Sequence, residues 1–152
     1  MSFMMLESVV EVVRISQETK VRKGRIATPI SSPNEVANLA SFYIGDEDRE
    51  VLLVIGLNTK NKINMINRAH MGSLSSSIVT PREVFKPLIL NNCASFVICH
   101  NHPSADLRPS SEDIQLTQRF VEVGDLMGIK LLDHLIVNNE TGFLSLKTEG
   151  LF

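Results

Sequence analysis

Cysteine is scarce in this chain. Only Cys93 and Cys99 occur, neither in a Cys-x-x-Cys unit, so reduced thiols in a cytoplasm are the simpler expectation. Long apolar runs are missing too. Nothing approaches the ~20 residues a membrane helix needs, and no charged-then-apolar leader opens the chain. A membrane partner is therefore not expected, and the localisation is read as cytoplasmic. There is also no excess of positive charge: the formal net charge is −2 and the isoelectric point about 6.1. Non-specific nucleic-acid binding depends on neutralising phosphates, so composition gives nucleic acid no support as a partner. The local basic cluster Lys20, Arg22, Lys23 and Arg25 reads more simply as a solvated turn. Internal repeats and low-complexity segments are absent. What remains is 152 residues, 43% of them apolar, enough for the core of one domain.

The patterns that are present alternate between strand and helix, giving an α/β class. Residues 9–15 are rich in valine and predict a strand or a short amphipathic helix. Gly24, Pro29 and Pro33 then punctuate the chain, so residues 1–31 are read as an N-terminal strand or arm with its linker and 32–152 as the main domain. An N-terminal strand invites pairing with a second copy, hence a homodimer. Ser32 and Pro33 fit the cap and first position of a helix, with Val36, Leu39, Ala40 and Tyr43 as its apolar stripe. Residues 51–57 have no polar face, as in a strand covered on both sides, and 62–70 offer another strand. Pro81 opens a helix burying Val84, Phe85, Leu88 and Ile89, which Pro87 is expected to bend or end. A longer helix runs from Ser110 to Met127, with Ile114, Thr117, Phe120, Val121 and Gly124 on one face and Gly128 at its end. Residues 130–137 and 143–146 close the sheet.

Chemistry concentrates after the apolar run of residues 95–99, where His100-Asn101-His102-Pro103 is followed by Ser110-x-x-Asp113. Side chains alternate along a strand, so His100 and His102 share a face with α-carbons ~7 Å apart, and both are placed past the strand's end. Asn101 and Cys99 should face away. Two imidazoles and the Asp113 carboxylate leave one tetrahedral position open, the arrangement of catalytic zinc. Taken singly, the parts are less specific. Ser110-x-x-Asp113 also fits a helix capping box, and strand ends often carry exposed histidines. His134 could orient a ligand or pack in the core, the latter being favoured.

These segments, together with Pro81-Arg82-Glu83-Val84-Phe85-Lys86, Leu132-Asp133-His134-Leu135-Ile136-Val137, Thr59-Lys60-Asn61 and Gly72-Ser73-Leu74, resemble the JAMM metalloprotease superfamily, and within it the bacterial RadC-like proteins. The resemblance runs from about Ser32 to the C-terminus. It implies a JAB1/MPN domain, a cytidine-deaminase-like fold with a mixed β-sheet flanked by helices. It implies His100, His102 and Asp113 as ligands of Zn2+. It further implies Ser110 as the hydroxyl that supports a developing oxyanion, and Glu50, ahead of residues 51–57, as the base. Without it, Glu50 is one acid in the charged run Asp46-Glu47-Asp48-Arg49-Glu50. Ala105 and Thr80 depart from the family, where glycine and histidine are usual. The helix-hairpin-helix region that precedes this domain in full-length relatives has no counterpart here, so no DNA-binding role resting on it is expected.

The activity implied is zinc-dependent hydrolysis of an amide, in a peptide or isopeptide bond of a peptide or protein substrate. Two alternatives belong to other classes: a DNA-repair-associated or nucleic-acid-acting metal protein, and a non-catalytic binding module on the same fold. An imidazole-rich set suits zinc better than the magnesium of many nucleases. A zinc deaminase is disfavoured because no Pro-Cys-x-x-Cys pair is present. Glu50 must lie within about one water of the ion to act as base. That requires its strand to run antiparallel to the histidine strand, or a bend to bring the two together.

Overall fold

The apolar run at residues 51–57 is the second strand in space of a five-stranded sheet. The computed structural model describes residues 8–21 and 29–152. Its elements are α1 (Pro33–Ile44), β1 (Val51–Leu57), β2 (Ile63–Met71), α2 (Pro81–Leu90), β3 (Ser95–Asn101), α3 (Ser111–Met127), β4 (Lys130–Val137) and β5 (Phe143–Ser145). The spatial order is β2-β1-β3-β4-β5. β3 and β4 pair parallel across the α3 crossover, and the other pairs are antiparallel. The sheet is therefore mixed, as expected.

Every residue of β1 and β3 is buried, because helices cover both faces of the sheet. On one face, Val36, Ala37, Ala40 and Ile44 of α1 pack over Leu53, Ile55, Val97, Cys99, Leu135 and Val137. On the other, Val84, Phe85 and Leu88 of α2 and Leu116 and Phe120 of α3 cover Leu52, Val54, Phe96 and Ile98. Phe85 meets Phe96 edge-on at 5.2 Å between ring centroids, a favoured aromatic geometry. Gly128 ends α3 at φ 73°, a left-handed conformation that glycine adopts without strain. No helix among the described residues is long and apolar enough to cross a membrane.

Several expectations need correction. Residues 8–21 form neither strand nor helix. Val9, Val10, Val12, Val13 and Ile15 stay exposed, paired with no strand among the described residues. Of the basic cluster, Lys20 is exposed, while Arg22, Lys23 and Arg25 lie outside the described residues, as does Gly24. Pro87 does not end α2, which continues to Leu90. The lost hydrogen bond and clash cost ~3 kcal/mol, and burying Val84, Phe85 and Leu88 returns more, at ~1.5–3 kcal/mol each. Ile89 is exposed instead of buried. On α1, Ala37 and Ile44 are buried, and Leu39 and Tyr43 only partly so. On α3, Leu116 joins the core while Ile114 is half-buried. The histidine strand is also longer than expected, and His100 lies inside it.

Candidate metal centre

β1 and β3 run antiparallel with Leu52 opposite His100. Two residues before Leu52 is Glu50, and two after His100 is His102, so the register brings these side chains together on the face that α3 covers. Of the two routes open in the sequence, the antiparallel one is realised. Glu50, His100 and His102 each bring one ligand atom within 4.8 Å of the others, a group able to hold a metal ion. The Glu50 carboxylate lies 3.8 Å from His102 Nε2 and is 31% exposed.

Asp113 reaches the same point from α3. Its Oδ1 is 3.3 Å from His100 Nε2 and its Oδ2 is 3.4 Å from His102 Nε2. The two contacts use different oxygens of the one carboxylate, so Asp113 lies against both imidazoles at once. The two Nε2 atoms lie 2.8 Å apart. Imidazole nitrogens and carboxylate oxygens are donors of the kind that zinc takes. Asp113 is the more suitable carboxylate ligand, being almost wholly buried and spanning both imidazoles, whereas Glu50 faces solvent at the open side.

Local structure explains how these side chains are held. Ser110 caps α3: its Oγ accepts from the Asp113 amide at 3.1 Å, and its own amide donates to Asp113 Oδ2 at 2.8 Å. The capping box is thus formed, and it orients the carboxylate. The exposed Ser110 hydroxyl keeps its own hydrogen for an outside acceptor. His102 Nδ1 lies 2.5 Å from the Asp106 carbonyl. A carbonyl only accepts, so the proton sits on Nδ1 and Nε2 turns a lone pair to the centre. His102 N also donates to Val137 O at 2.9 Å, extending the ladder past β3. Ser104 is an ordinary turn serine, its Oγ accepting from Asp106 N.

Electrostatics favour a cation here. Burial would raise the Asp113 pKa, but the His100 and His102 rings beside it outweigh that and hold the carboxyl well below the usual range. The Asp113 carboxylate, in turn, raises the pKa of His102 against the opposing effect of burial.

Asn101 points to the opposite face, as expected, and braces backbone. Its Oδ1 accepts from Val51 N at 2.7 Å, and its Nδ2 donates to Arg49 O at 2.9 Å and Glu47 O at 3.3 Å. Ala105 adopts φ 68°, a left-handed conformation that glycine takes without strain. His134 lies in the core, as the favoured reading expects, and also touches a proposed ligand, as the other reading would have it. It is fully buried, and its Nε2 lies 2.7 Å from His100 Nδ1. Burial lowers its pKa well below the ordinary imidazole value. Thr117, read from sequence only as part of a buried face, touches His134 Nδ1 at 2.6 Å. Its place one turn after Asp113 is the signal that could have singled it out.

A mixed sheet between helices, with two imidazoles and two carboxylates gathered at the end of β3, defines an α/β domain of the JAB type with a candidate metal centre. The chain belongs to the RadC-like JAB domain family, which matches residues 30–151. A UPF0758 protein of Clostridium beijerinckii is 48% identical over 122 residues, covering 80% of this chain and 53% of its own length. Another, from Clostridium acetobutylicum, is 46% identical over 132 residues, 87% of this chain and 57% of the relative. A third, from Desulforudis audaxviator, is 41% identical over 138 residues, 91% and 60% of the two chains. The chain thus spans little more than half the length of the curated relatives it matches.

Proposed function

We propose that this domain is a zinc-dependent hydrolase of amides, acting on a peptide or isopeptide bond. The observation that carries the reading is the gathering of Glu50, His100 and His102 into one group able to hold a metal ion, with Asp113 buried against both imidazoles and Glu50 open to solvent. The word amide comes from the likeness to the JAMM superfamily. His100, His102 and Asp113 would hold the zinc, which would supply Lewis acidity and lower the pKa of water from ~16 toward ~7. Glu50, 3.8 Å from His102 Nε2, stands where a carboxylate can take the proton of an attacking water and pass it to the departing amine. Ser110 directs its free O–H to the carbonyl oxygen as that oxygen gains charge. One such donor is worth ~2.7–4 kcal/mol in other oxyanion sites.

Elemental analysis and hydrolysis of a peptide-amide library test the assignment together. Zinc near one per chain is expected, lost in His102→Ala and retained in Glu50→Gln, with hydrolysis reduced about 100- to 10,000-fold in Glu50→Gln. Equal hydrolysis by Glu50→Gln and the unsubstituted chain removes Glu50 as the base. Absence of zinc from the unsubstituted chain removes the metal reading.

A further inference from the structure

We infer that Thr117 and His134 form a hydrogen-bond relay that holds the His100 ring in the one tautomer able to bind a cation. This deepens the zinc reading above and rests on it. His100, His134 and Thr117 are all fully buried. Three contacts join them to the helix backbone: His100 Nδ1 to His134 Nε2 at 2.7 Å, His134 Nδ1 to Thr117 Oγ1 at 2.6 Å, and Thr117 Oγ1 to Asp113 O at 2.7 Å.

Each contact needs one proton, and the inventory of donors fixes where each lies. The Asp113 carbonyl can only accept, so the single hydroxyl hydrogen of Thr117 points to it. Thr117 Oγ1 must then accept from His134 Nδ1–H. Among the described residues, the ring nitrogens of His134 meet only Thr117 and His100, and a buried ring hydrogen-bonded to no carboxylate is neutral. Its Nε2 is therefore a lone pair, and the proton in the last contact belongs to His100 Nδ1. His100 Nε2 is left bare. That is the nitrogen lying 3.3 Å from Asp113 Oδ1 and 2.8 Å from His102 Nε2. The opposite proton order leaves two acceptor oxygens, Thr117 Oγ1 and Asp113 O, 2.7 Å apart with nothing between them. It also turns an N–H toward the place of the cation.

The first turn of α3 thus acts on the centre twice, through the Asp113 carboxylate and, by way of the Asp113 carbonyl, through the orientation of His100. Thr117 and His134 are positioning residues, acting through His100. Partners of this kind typically change metal affinity about 10- to 100-fold when removed.

The test combines proton placement with zinc affinity. Long-range 1H–15N NMR of the 15N-labelled full chain, with and without one equivalent of zinc, should show His134 as the Nδ1–H tautomer in both states. An Nε2–H tautomer at His134 overturns the relay. Zinc affinity by chelator competition should fall about 10- to 100-fold in Thr117→Val and recover in Thr117→Ser, which restores the hydroxyl. Undiminished affinity in Thr117→Val also overturns it. Failure of the unsubstituted chain to take up zinc overturns the zinc reading, and with it the role toward a metal, while the proton order is still judged by the NMR result alone.

Discussion

Replacing Asn101 with alanine should separate the holding of Glu50 from the proposed zinc binding. Asn101 is 1% exposed and makes three backbone contacts, to Val51 N, Arg49 O and Glu47 O. Truncation leaves the buried Val51 N–H without a partner, at ~1–3 kcal/mol. It also loses two donations to carbonyls near the surface, at ~0.5–1.5 kcal/mol each in net terms. The contacts are neighbours and do not simply add, so ~2–4 kcal/mol is the expected loss of stability. At ~2–4 °C per kcal/mol for a chain of this size, Tm should fall by roughly 5–15 °C. The turn of residues 47–50 is released from β3 by the same change, and Glu50 with it, whereas His100 and His102 point from the other face of the strand. Hydrolysis should therefore fall in Asn101→Ala while zinc content stays near that of the unsubstituted chain. Thermal unfolding, elemental analysis and peptide-amide hydrolysis read the three quantities. A Tm within 2 °C of the unsubstituted chain, or zinc lost in step with activity, would refute the division of labour between the two faces.

Ala105→Gly should stabilise the chain. A residue held at φ 68° bears ~1–2 kcal/mol of left-handed strain, glycine's extra unfolded-state entropy takes back ~0.4–1 kcal/mol, and urea unfolding should show a net gain of ~0.5–1 kcal/mol; a loss would mean that the methyl group packs. Gly124→Ala should do the reverse, although alanine favours helix by ~1 kcal/mol. A Cβ there would sit 2.5 Å from the backbone oxygen of Ile129, and the forced shift costs ~1–3 kcal/mol, so a raised Tm would contradict the close packing of α3 on β4. Cys93 should resist thiol reagents at pH 8 in the folded chain and react once unfolded, because burial pushes its thiol up to about 11; rapid labelling of native protein would place it at the surface.

Legibility in the sequence followed the range of the interaction. The pleat of a strand is local, so the common face of His100 and His102 and the opposite direction of Asn101 could be read from parity alone. So could the α3 start, because Ser110 and Asp113 carry their own capping chemistry. Glu50 could not be singled out from the acids around it without the resemblance. Its place depends on β1 pairing antiparallel with β3, fifty residues downstream, and periodicity does not encode partner choice. His134 and Thr117 were underestimated for the same reason: their contact spans 17 residues, and the His100–His134 contact spans 34. At residues 9–15, β-branched composition signalled a strand, yet propensity alone leaves the valines in solvent, paired with no strand among the described residues.

The capping box at Ser110-x-x-Asp113 and the metal-ligand assignment looked like rivals in the sequence, and the geometry makes them complementary. A carboxylate has two oxygens and roughly four lone-pair sites. Asp113 gives Oδ2 to the Ser110 amide at 2.8 Å, an in-plane anchor that fixes the rotation of the group. With that rotation fixed, Oδ1 faces His100 and Oδ2 still lies 3.4 Å from His102 Nε2. The helix N-terminus adds favourable potential for the negative charge, so the carboxylate tolerates 3% exposure. Glutamate at this position could still close a capping box, but its extra methylene would push the oxygens past the line between the two imidazoles. An aspartate is what lets one side chain start the helix and meet both histidines.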